Sequence, residues 1–476
     1  MLITPTFTFT LYSGHQLMLL RLILTIVASV LFSLANAQIL DVVHLKFKIS
    51  DLGQTDSCQI AYHVGAKQYI HSNGILTYHE GYFHFEADSV AAGLYLFVFP
   101  DKSYFEFLLN EPQFTMSTIS SDPVPNMVVA GSEENRVFYD YLNYLNTKRG
   151  ISERLTTEHS QANEEIKEQL NQVNKQVEQY RASVISNHSD MMVGQFFKAN
   201  QEPDFPKAPK TMSAEKARIF EFYQYRKRYF NNIDLNKEYL MYTPIVSQKV
   251  ANYLEKCTNP SPDSQLVSVQ RIMAWVQGFD NPTAFKLLII EITNRYAQSK
   301  KLCYDKVYVY MVETYYMTGK ADWADEAQLA RMKYRSQVLG NVQCGSKALN
   351  FTLKDSTGRD VSLYDVHADK MVIIFWRPDC GHCKKVTQAL RSLYQEKGSR
   401  FTVVAVNVSQ DKEKWMEYIR ANKLNGWLHL YNEGEARDFS KTHDVSKTPK
   451  LIILDKNKTI RFKDIGVEYI EQLLGI

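Results

Sequence analysis

The apolar positions change rhythm three times along the chain. From residue 38 to about 130 they form short runs separated by turn residues, the pattern of β-strands. Leu94 to Phe99 (LYLFVF) is apolar on both faces. Tyr104 to Leu109 (YFEFLL) follows after Pro100-Asp101-Lys102-Ser103, a turn sequence. Two such runs joined by a short turn predict a hairpin inside a β-sandwich. Tyr95, Phe97 and Phe99 are expected to pack in its core rather than to stack on a ligand.

From about 131 to 340 the period becomes helical. Ile166, Leu170, Val173, Val177, Tyr180 and Val184 alternate spacings of four and three on an otherwise polar stretch rich in Gln, Glu and Lys. That is a coiled-coil-like seam. It can close against its own domain or against a second copy, so helix 152–187 is a candidate dimer contact. Asn200-Gln201-Glu202-Pro203 ends this stretch, and Pro260, Pro262 and Pro282 punctuate the shorter helices beyond. No catalytic pattern occurs in this region. Cys257 and Cys303 lie near the ends of predicted helices 245–257 and 284–300, which allows a disulfide between them, while Cys58 and Cys344 have no evident partners.

From 345 to 476 strand and helix patterns alternate. Met371 to Trp376 (MVIIFW) reads as a buried strand, and a helix follows from about Gly381 to Glu396. Phe401 to Val408 is the next strand, Lys412 to Asn422 a helix, and Lys450–Leu454 with Thr459–Lys463 a hairpin around Asp455-Lys456-Asn457-Lys458. This alternation implies an α/β sheet with helices on both faces.

Composition narrows the class. The chain has 476 residues, enough for several domains, with 45% hydrophobic and 22% charged residues. That balance excludes a largely disordered chain and a polytopic membrane protein. Lys+Arg 55 against Asp+Glu 52 leaves a formal net charge of +3, too small a field to argue for nucleic acid as a partner. Residues 18–37 (MLLRLILTIVASVLFSLANA) carry Arg21, an apolar run from Leu22 to Leu34 and a small-x-small site at Ala35-Asn36-Ala37. They read as an export signal cleaved after Ala37, with Met18 a candidate start. The run is short for a bilayer span, so the mature chain is expected to be exported into a space where disulfides persist and not to be membrane-spanning.

The chemistry concentrates at Cys380-Gly381-His382-Cys383, directly after the buried strand and at the start of a helix. A Cys-x-x-Cys in a strand–helix setting reads as a redox dithiol. Unsatisfied N–H groups and the dipole at the helix start favour an anion there, which lowers the pKa of the first thiol. Two intervening residues let Cys383 reach the Cys380 sulfur and resolve a mixed disulfide. His382, Lys384, Lys385 and Arg377 add positive potential. The alternatives are an inert disulfide or a zinc half-site, and zinc would need a second ligand pair. His443 is a conceivable copper ligand beside the cysteines. His79-Glu80-Gly81-Tyr82-Phe83-His84 lacks metal spacing, and positions five apart on one strand face opposite ways.

Residues 345–476 resemble the thioredoxin superfamily, specifically the exported TlpA/ResA-like thiol–disulfide oxidoreductases of the Bacteroidetes envelope. The matching segments are Gly345 to Leu353, Gly358 to Leu363, Phe375 to Lys385 (FWRPDCGHCKK) and Val445 to Pro449. The resemblance implies a cis Thr448–Pro449 bond facing the dithiol, with Thr448 main-chain groups presented to a bound substrate chain. It implies that the space the chain is exported into is periplasmic. It implies no organic cofactor and no metal. Its implied partners are proteins bearing thiols or disulfides and an upstream redox partner. The Cys-Gly-His-Cys quartet also matches protein disulfide isomerases. Segments 305–310 and 318–323 resemble the helical domain that accompanies such modules, and the β-rich part resembles the domain that precedes them.

Two positions depart from the family. Ile374 stands where many thioredoxins place a buried aspartate, and Asp379 precedes Cys380 where tryptophan is usual, its charge opposing a thiolate. The peroxidase signature Pro-x-x-x-Thr-x-x-Cys is missing. The expected architecture is multidomain α+β: a β-sandwich-like domain over 38–130, an α-helical domain over 131–340 and a thioredoxin-like α/β domain over 345–476. The expected function is disulfide exchange, reductive or isomerising, with Cys380, Cys383, His382, Thr448 and Pro449 as site residues. A binding or scaffold role with secondary redox activity, and copper handling, remain as alternatives.

Overall fold

The structure, a computed structural model, describes residues 39–157, 164–433 and 437–476. The export signal read over residues 1–37 lies outside them. Two compact units are formed. One contains the described residues up to Tyr253 together with Trp275–Leu287, and the other Leu254–Ala274 together with Leu288–Ile476.

The first unit opens with nine strands: β1 (Ile39–Ile49), β2 (Gln59–Val64), β3 (Lys67–Ile75), β4 (Thr77–His79), β5 (Tyr82–Ala91), β6 (Gly93–Val98), β7 (Tyr104–Leu109), β8 (Gln113–Thr118) and β9 (Val128–Ala130). They make a five-stranded sheet, β4-β5-β1-β8-β9, and a four-stranded sheet, β3-β2-β6-β7. Strands β6 and β7 pair antiparallel around the expected turn. Alternate residues of β1, β6 and β7 put aromatic rings into the space between the sheets. Phe47 lies 4.9 Å from Phe97 and 5.4 Å from Phe107, ring centroid to centroid. Tyr95, Phe97 and Phe99 are all buried, so this stripe is core.

Helices α1 (Glu133–Thr157), α2 (Glu164–Asn187), α3 (Met192–Asn200), α4 (Ala214–Arg228) and most of α5 (Ile245–Lys256) complete this unit. Buried Asn135 on α1 accepts a hydrogen bond from the Leu108 N–H at 2.8 Å and donates to the Leu108 carbonyl at 2.7 Å. It thereby satisfies one residue's main chain on edge strand β7. The Glu134 carboxylate accepts from the Met192 and Val193 N–H groups, where negative charge suits the start of α3. The seam of α2 closes against α1 within the chain. The Tyr180 ring packs tilted against Tyr144, centroids 4.1 Å apart, and Arg181 Nε donates to the Tyr141 hydroxyl at 2.8 Å.

The second unit takes in most of α6 (Pro262–Val276), the end of α7 (Pro282–Ala297), α8 (Asp305–Met311), α9 (Glu326–Gly340) and the C-terminal sheet. The sequence predicted one helical domain over 131–340; these helices instead divide between the two compact units. Helical periodicity reveals an apolar face but not the body that covers it.

The C-terminal strands are β10 (Thr352–Asp355), β11 (Asp360–Ser362), β12 (Lys370–Trp376), β13 (Thr402–Asn407), β14 (Leu428–Tyr431), β15 (Lys450–Asp455) and β16 (Ile460–Lys463). Their order is β11-β10-β14-β13-β12-β15-β16, with β12, β13 and β14 parallel and the remaining pairs antiparallel. Helices α10 (Gly381–Lys397), α11 (Lys412–Ala421), α12 (Phe439–Thr442) and α13 (Ile470–Leu474) accompany them. Strand β12 reads as a continuous apolar run because both its faces are covered. Val372, Ile374 and Trp376 enter one hydrophobic core, and Met371, Ile373 and Phe375 the other. Pairing with β13 and β15 sets its register and puts Trp376 opposite Asn407, where the chain leaves the sheet for the dithiol.

Candidate active site

Strand β12 ends at Trp376, and four residues later Cys380 is the N-cap of α10. Its Sγ accepts a hydrogen bond from the Cys383 N–H at 3.1 Å, satisfying one of the donors left open at the helix start. Cys380 and Cys383 are joined as a disulfide. Their burial differs sharply. Cys383 is 0% exposed inside the core that also holds Ile374 and Trp376, whereas Cys380 is only partly buried. An outside sulfur can therefore meet Cys380, while Cys383 is open only to its neighbour.

The segment 444–450 faces this pair. The Thr448–Pro449 bond is cis, and the Thr448 carbonyl oxygen lies 3.6 Å from Cys380 Sγ. Beside it runs a groove of about 480 Å³ lined by residues including Arg377, Val408, Arg437, Phe439, Val445 and Thr448. His382, Lys384 and Lys385 stand exposed on the first turn of α10.

Arg377 does not add an unpaired cation, as the sequence suggested. Its Nε and Nη2 donate to the two carboxylate oxygens of Asp379 at 3.0 and 2.6 Å. This hydrogen bonding to Arg377 holds the Asp379 carboxyl below its ordinary value. The opposing charge beside Cys380 is thus largely neutralised by its own neighbour. Ile374 packs with Cys383 in one core, so that position supplies no acid to the buried sulfur.

Directly beyond Pro449 lies a buried ionic chain that sequence reading missed. Lys450 is 4% exposed and donates to Asp444 at 2.9 Å and to Asp464 at 2.8 Å. Asp444 is 6% exposed and also pairs with Arg335 of α9. Burial opposes the Asp444 charge; Lys450 and Arg335 outweigh it and hold the carboxyl below its ordinary value. A second buried lysine, Lys463, donates to Asp305 at the start of α8 at 2.6 Å. Arg335 and Asp444 are 109 residues apart, a separation at which no local pattern signals a contact.

Three sequence expectations are corrected. Cys303 bonds to Cys344, not to Cys257. The segment after α9 brings Cys344 back to the loop before α8, with Cα atoms 5.7 Å apart, and Cys257 is buried outside both bridges. His79 and His84 do not point to opposite faces of one strand. Glu80 and Gly81 take positive φ and turn the chain into a hairpin, where the two rings stack at 3.6 Å. His443 is not placed as a copper ligand. It is 3% exposed among the rings of Phe351, Phe375 and Phe439, and it hydrogen-bonds to the Leu349 carbonyl and Thr442 Oγ1. Among the described residues no group of three or more His, Cys, Asp or Glu side chains is placed to hold a metal ion. Nor is any described helix long and apolar enough to cross a membrane.

A strand delivering Cys-x-x-Cys to a helix start, opposite a proline loop, defines a protein of the thiol–disulfide exchange class. Comparison with known proteins agrees. The thioredoxin-like family matches residues 369–460, and a domain of unknown function, DUF5106, matches residues 158–341. The chain is similar to thioredoxin-like protein YneN of Bacillus subtilis, 28% identical over 133 residues, covering 28% of this chain and 77% of that one. It is 28% identical over 116 residues to thiol–disulfide oxidoreductase ResA of Bacillus subtilis, covering 24% of this chain and 63% of ResA. Among solved structures, a domain of a possible thiol-disulfide isomerase from Cytophaga hutchinsonii is 37% identical, covers 28% of this chain and 90% of that one, and has a TM-score of 0.27. A thioredoxin-like protein from Bacteroides caccae is 18% identical, covers 58% of this chain and 98% of that one, and has a TM-score of 0.42. The C-terminal domain is thioredoxin-like, and these likenesses support a TlpA/ResA-like thiol–disulfide oxidoreductase.

Proposed function

We propose that this is an exported oxidoreductase that exchanges disulfides with proteins of the cell envelope. The observation that carries the reading is the placement of Cys380: N-cap of α10, partly open, with the Thr448 carbonyl 3.6 Å from its sulfur. In the reduced enzyme, the Cys380 thiolate attacks a substrate disulfide. One S–S bond breaks, a mixed disulfide forms, and one substrate thiolate leaves and takes a proton. Cys383 then attacks Cys380 Sγ, releasing the second substrate thiol and closing the Cys380–Cys383 bond. Two electrons pass from enzyme to substrate in this cycle, and an upstream dithiol returns them. His382 adds positive potential near the thiolate, and the Thr448–Pro449 segment offers main-chain groups to the substrate chain. Isomerisation uses the same first step, followed by return of the enzyme to its reduced form.

Reduction of insulin disulfides, with dithiothreitol supplying electrons, tests the reading. Cys380→Ser is expected to abolish turnover, and Cys383→Ser to accumulate mixed disulfides with the substrate. Undiminished turnover in Cys380→Ser defeats it. The Cys380–Cys383 reduction potential then separates the two directions. A value near about −270 mV marks a thioredoxin-like reductant, and one near about −180 mV an isomerase.

A further inference from the structure

Helix α9 lies outside the sheet that carries the dithiol, yet its Arg335 reaches the segment opposite Cys380. The connection consists of three charges. Arg335 pairs with Asp444, Asp444 Oδ2 accepts from Lys450 Nζ at 2.9 Å, and Lys450 directly follows Pro449. Asp464 Oδ1 takes a second hydrogen bond from the same ammonium at 2.8 Å. Both ends of segment 444–450 are thereby held by side chains, with the Thr448–Pro449 pair between them.

The geometry of Asp444 needs such support. Its φ of 54° is left-handed, a conformation a side-chain-bearing residue adopts at a cost unless its surroundings hold it. Its carboxylate is buried, and an unpaired buried charge is strongly disfavoured. With one oxygen on Arg335 and the other on Lys450, both demands are met at once. Arg335 is half exposed, so its value lies in fixing the direction of Asp444 more than in surface attraction. Its planar guanidinium suits that task better than an ammonium. Hydrogen bonds from the His443 and Val445 N–H groups to the Phe439 carbonyl, both at 3.0 Å, anchor the segment's start but leave the Asp444 side chain to the ion pairs.

We infer that Arg335 is a positioning residue for the exchange reaction: through Asp444 and Lys450 it fixes where Thr448 presents its main chain beside Cys380. The inference rests on the disulfide-exchange reading of the site. Arg335 touches neither cysteine. It acts on how a substrate chain is held, not on the transfer of electrons, so its loss weakens substrate use before it weakens the chemistry.

The test is insulin reduction by the full chain carrying Arg335→Ala, with Arg335→Lys beside it. Arg335→Ala is expected to raise KM about tenfold with kcat held within about threefold, the pattern of weakened substrate holding rather than of slowed chemistry. Arg335→Lys keeps the charge and is expected to recover part of the loss. Unchanged KM, or a fall in kcat alone, overturns the inference. Hydrogen exchange across residues 444–450 reads the same segment without any turnover: faster exchange is expected in Arg335→Ala, and unchanged protection overturns the inference. Absence of turnover in the parent enzyme defeats the exchange reading instead, and the exchange measurement still decides the role of Arg335.

Discussion

His443 Nε2 lies 3.2 Å from the Leu349 carbonyl oxygen, so this ring nitrogen donates and the imidazole is held neutral inside an aromatic core. Burial is the main cause that pushes its pKa down, from 6.5 to about 4. The unfolded chain therefore takes up a proton near pH 6.5 and the folded one only near pH 4. Unfolded chains bind more protons across that window, so stability rises with pH through it. The contribution is complete above pH 6.5 and falls away towards pH 4, on the order of 3 kcal/mol in all. Urea midpoints at pH 7.5 and pH 4.5 measure it. His443→Leu is expected to flatten the difference while lowering stability at pH 7.5, where the Leu349 carbonyl loses its donor.

The bond between Cys303 and Cys344 closes a loop across a sequence separation of 41. A loop of this length corresponds to about 4 kcal/mol of stabilisation by the chain-entropy relation. Cys303→Ala with Cys344→Ala should lower the stability of the second unit by about that amount. Buried Trp376 and Trp415 report its unfolding by fluorescence in urea, without reductant, so that Cys380–Cys383 stays closed. A shift below about 1 kcal/mol would show that the unfolded chain is already confined at this point.

Arg377 and Asp379 form a half-exposed pair two residues apart, ending beside Cys380. Arg377→Ala leaves the carboxylate uncompensated and disfavours the neighbouring thiolate. Alkylation of reduced Cys380 by iodoacetamide at pH 7 is expected to slow about twofold, the scale of an exposed ion pair. Added salt should shrink the difference by screening. Asp379→Asn in the Arg377→Ala background should restore the rate; if it does not, the arginine acts through contact rather than charge.

The dithiol and its strand were legible because their signals are local. β12 is a run of apolar residues, and Cys-x-x-Cys opens a helix within the next few positions. The α2 seam was legible by its period, but not its partner, since the same stripe fits a neighbouring helix or a second copy. The hairpin at Glu80-Gly81 reversed the reading of His79 and His84, because strand alternation applies only until the chain turns. Cys257 and Cys303 looked suited to one another from helix ends alone, which do not say which loop the returning chain meets. The link from Arg335 to Asp444 gave no signal at all, since it depends on how α9 lies against the 444–450 segment.

The linker containing Cys344 invites division of the gene just before the thioredoxin-like segment. A fragment starting at residue 345 would leave behind α9 with its Arg335, together with both members of the Cys303–Cys344 bond. A fragment starting a few residues earlier would carry Cys344 without its mate, adding an odd thiol to a protein whose trade is thiol exchange. A cut in this linker gives the catalytic segment without its Arg335–Asp444 pair and without the Cys303–Cys344 tie. A piece that keeps both links begins before Cys303 and so carries the helices written ahead of the dithiol.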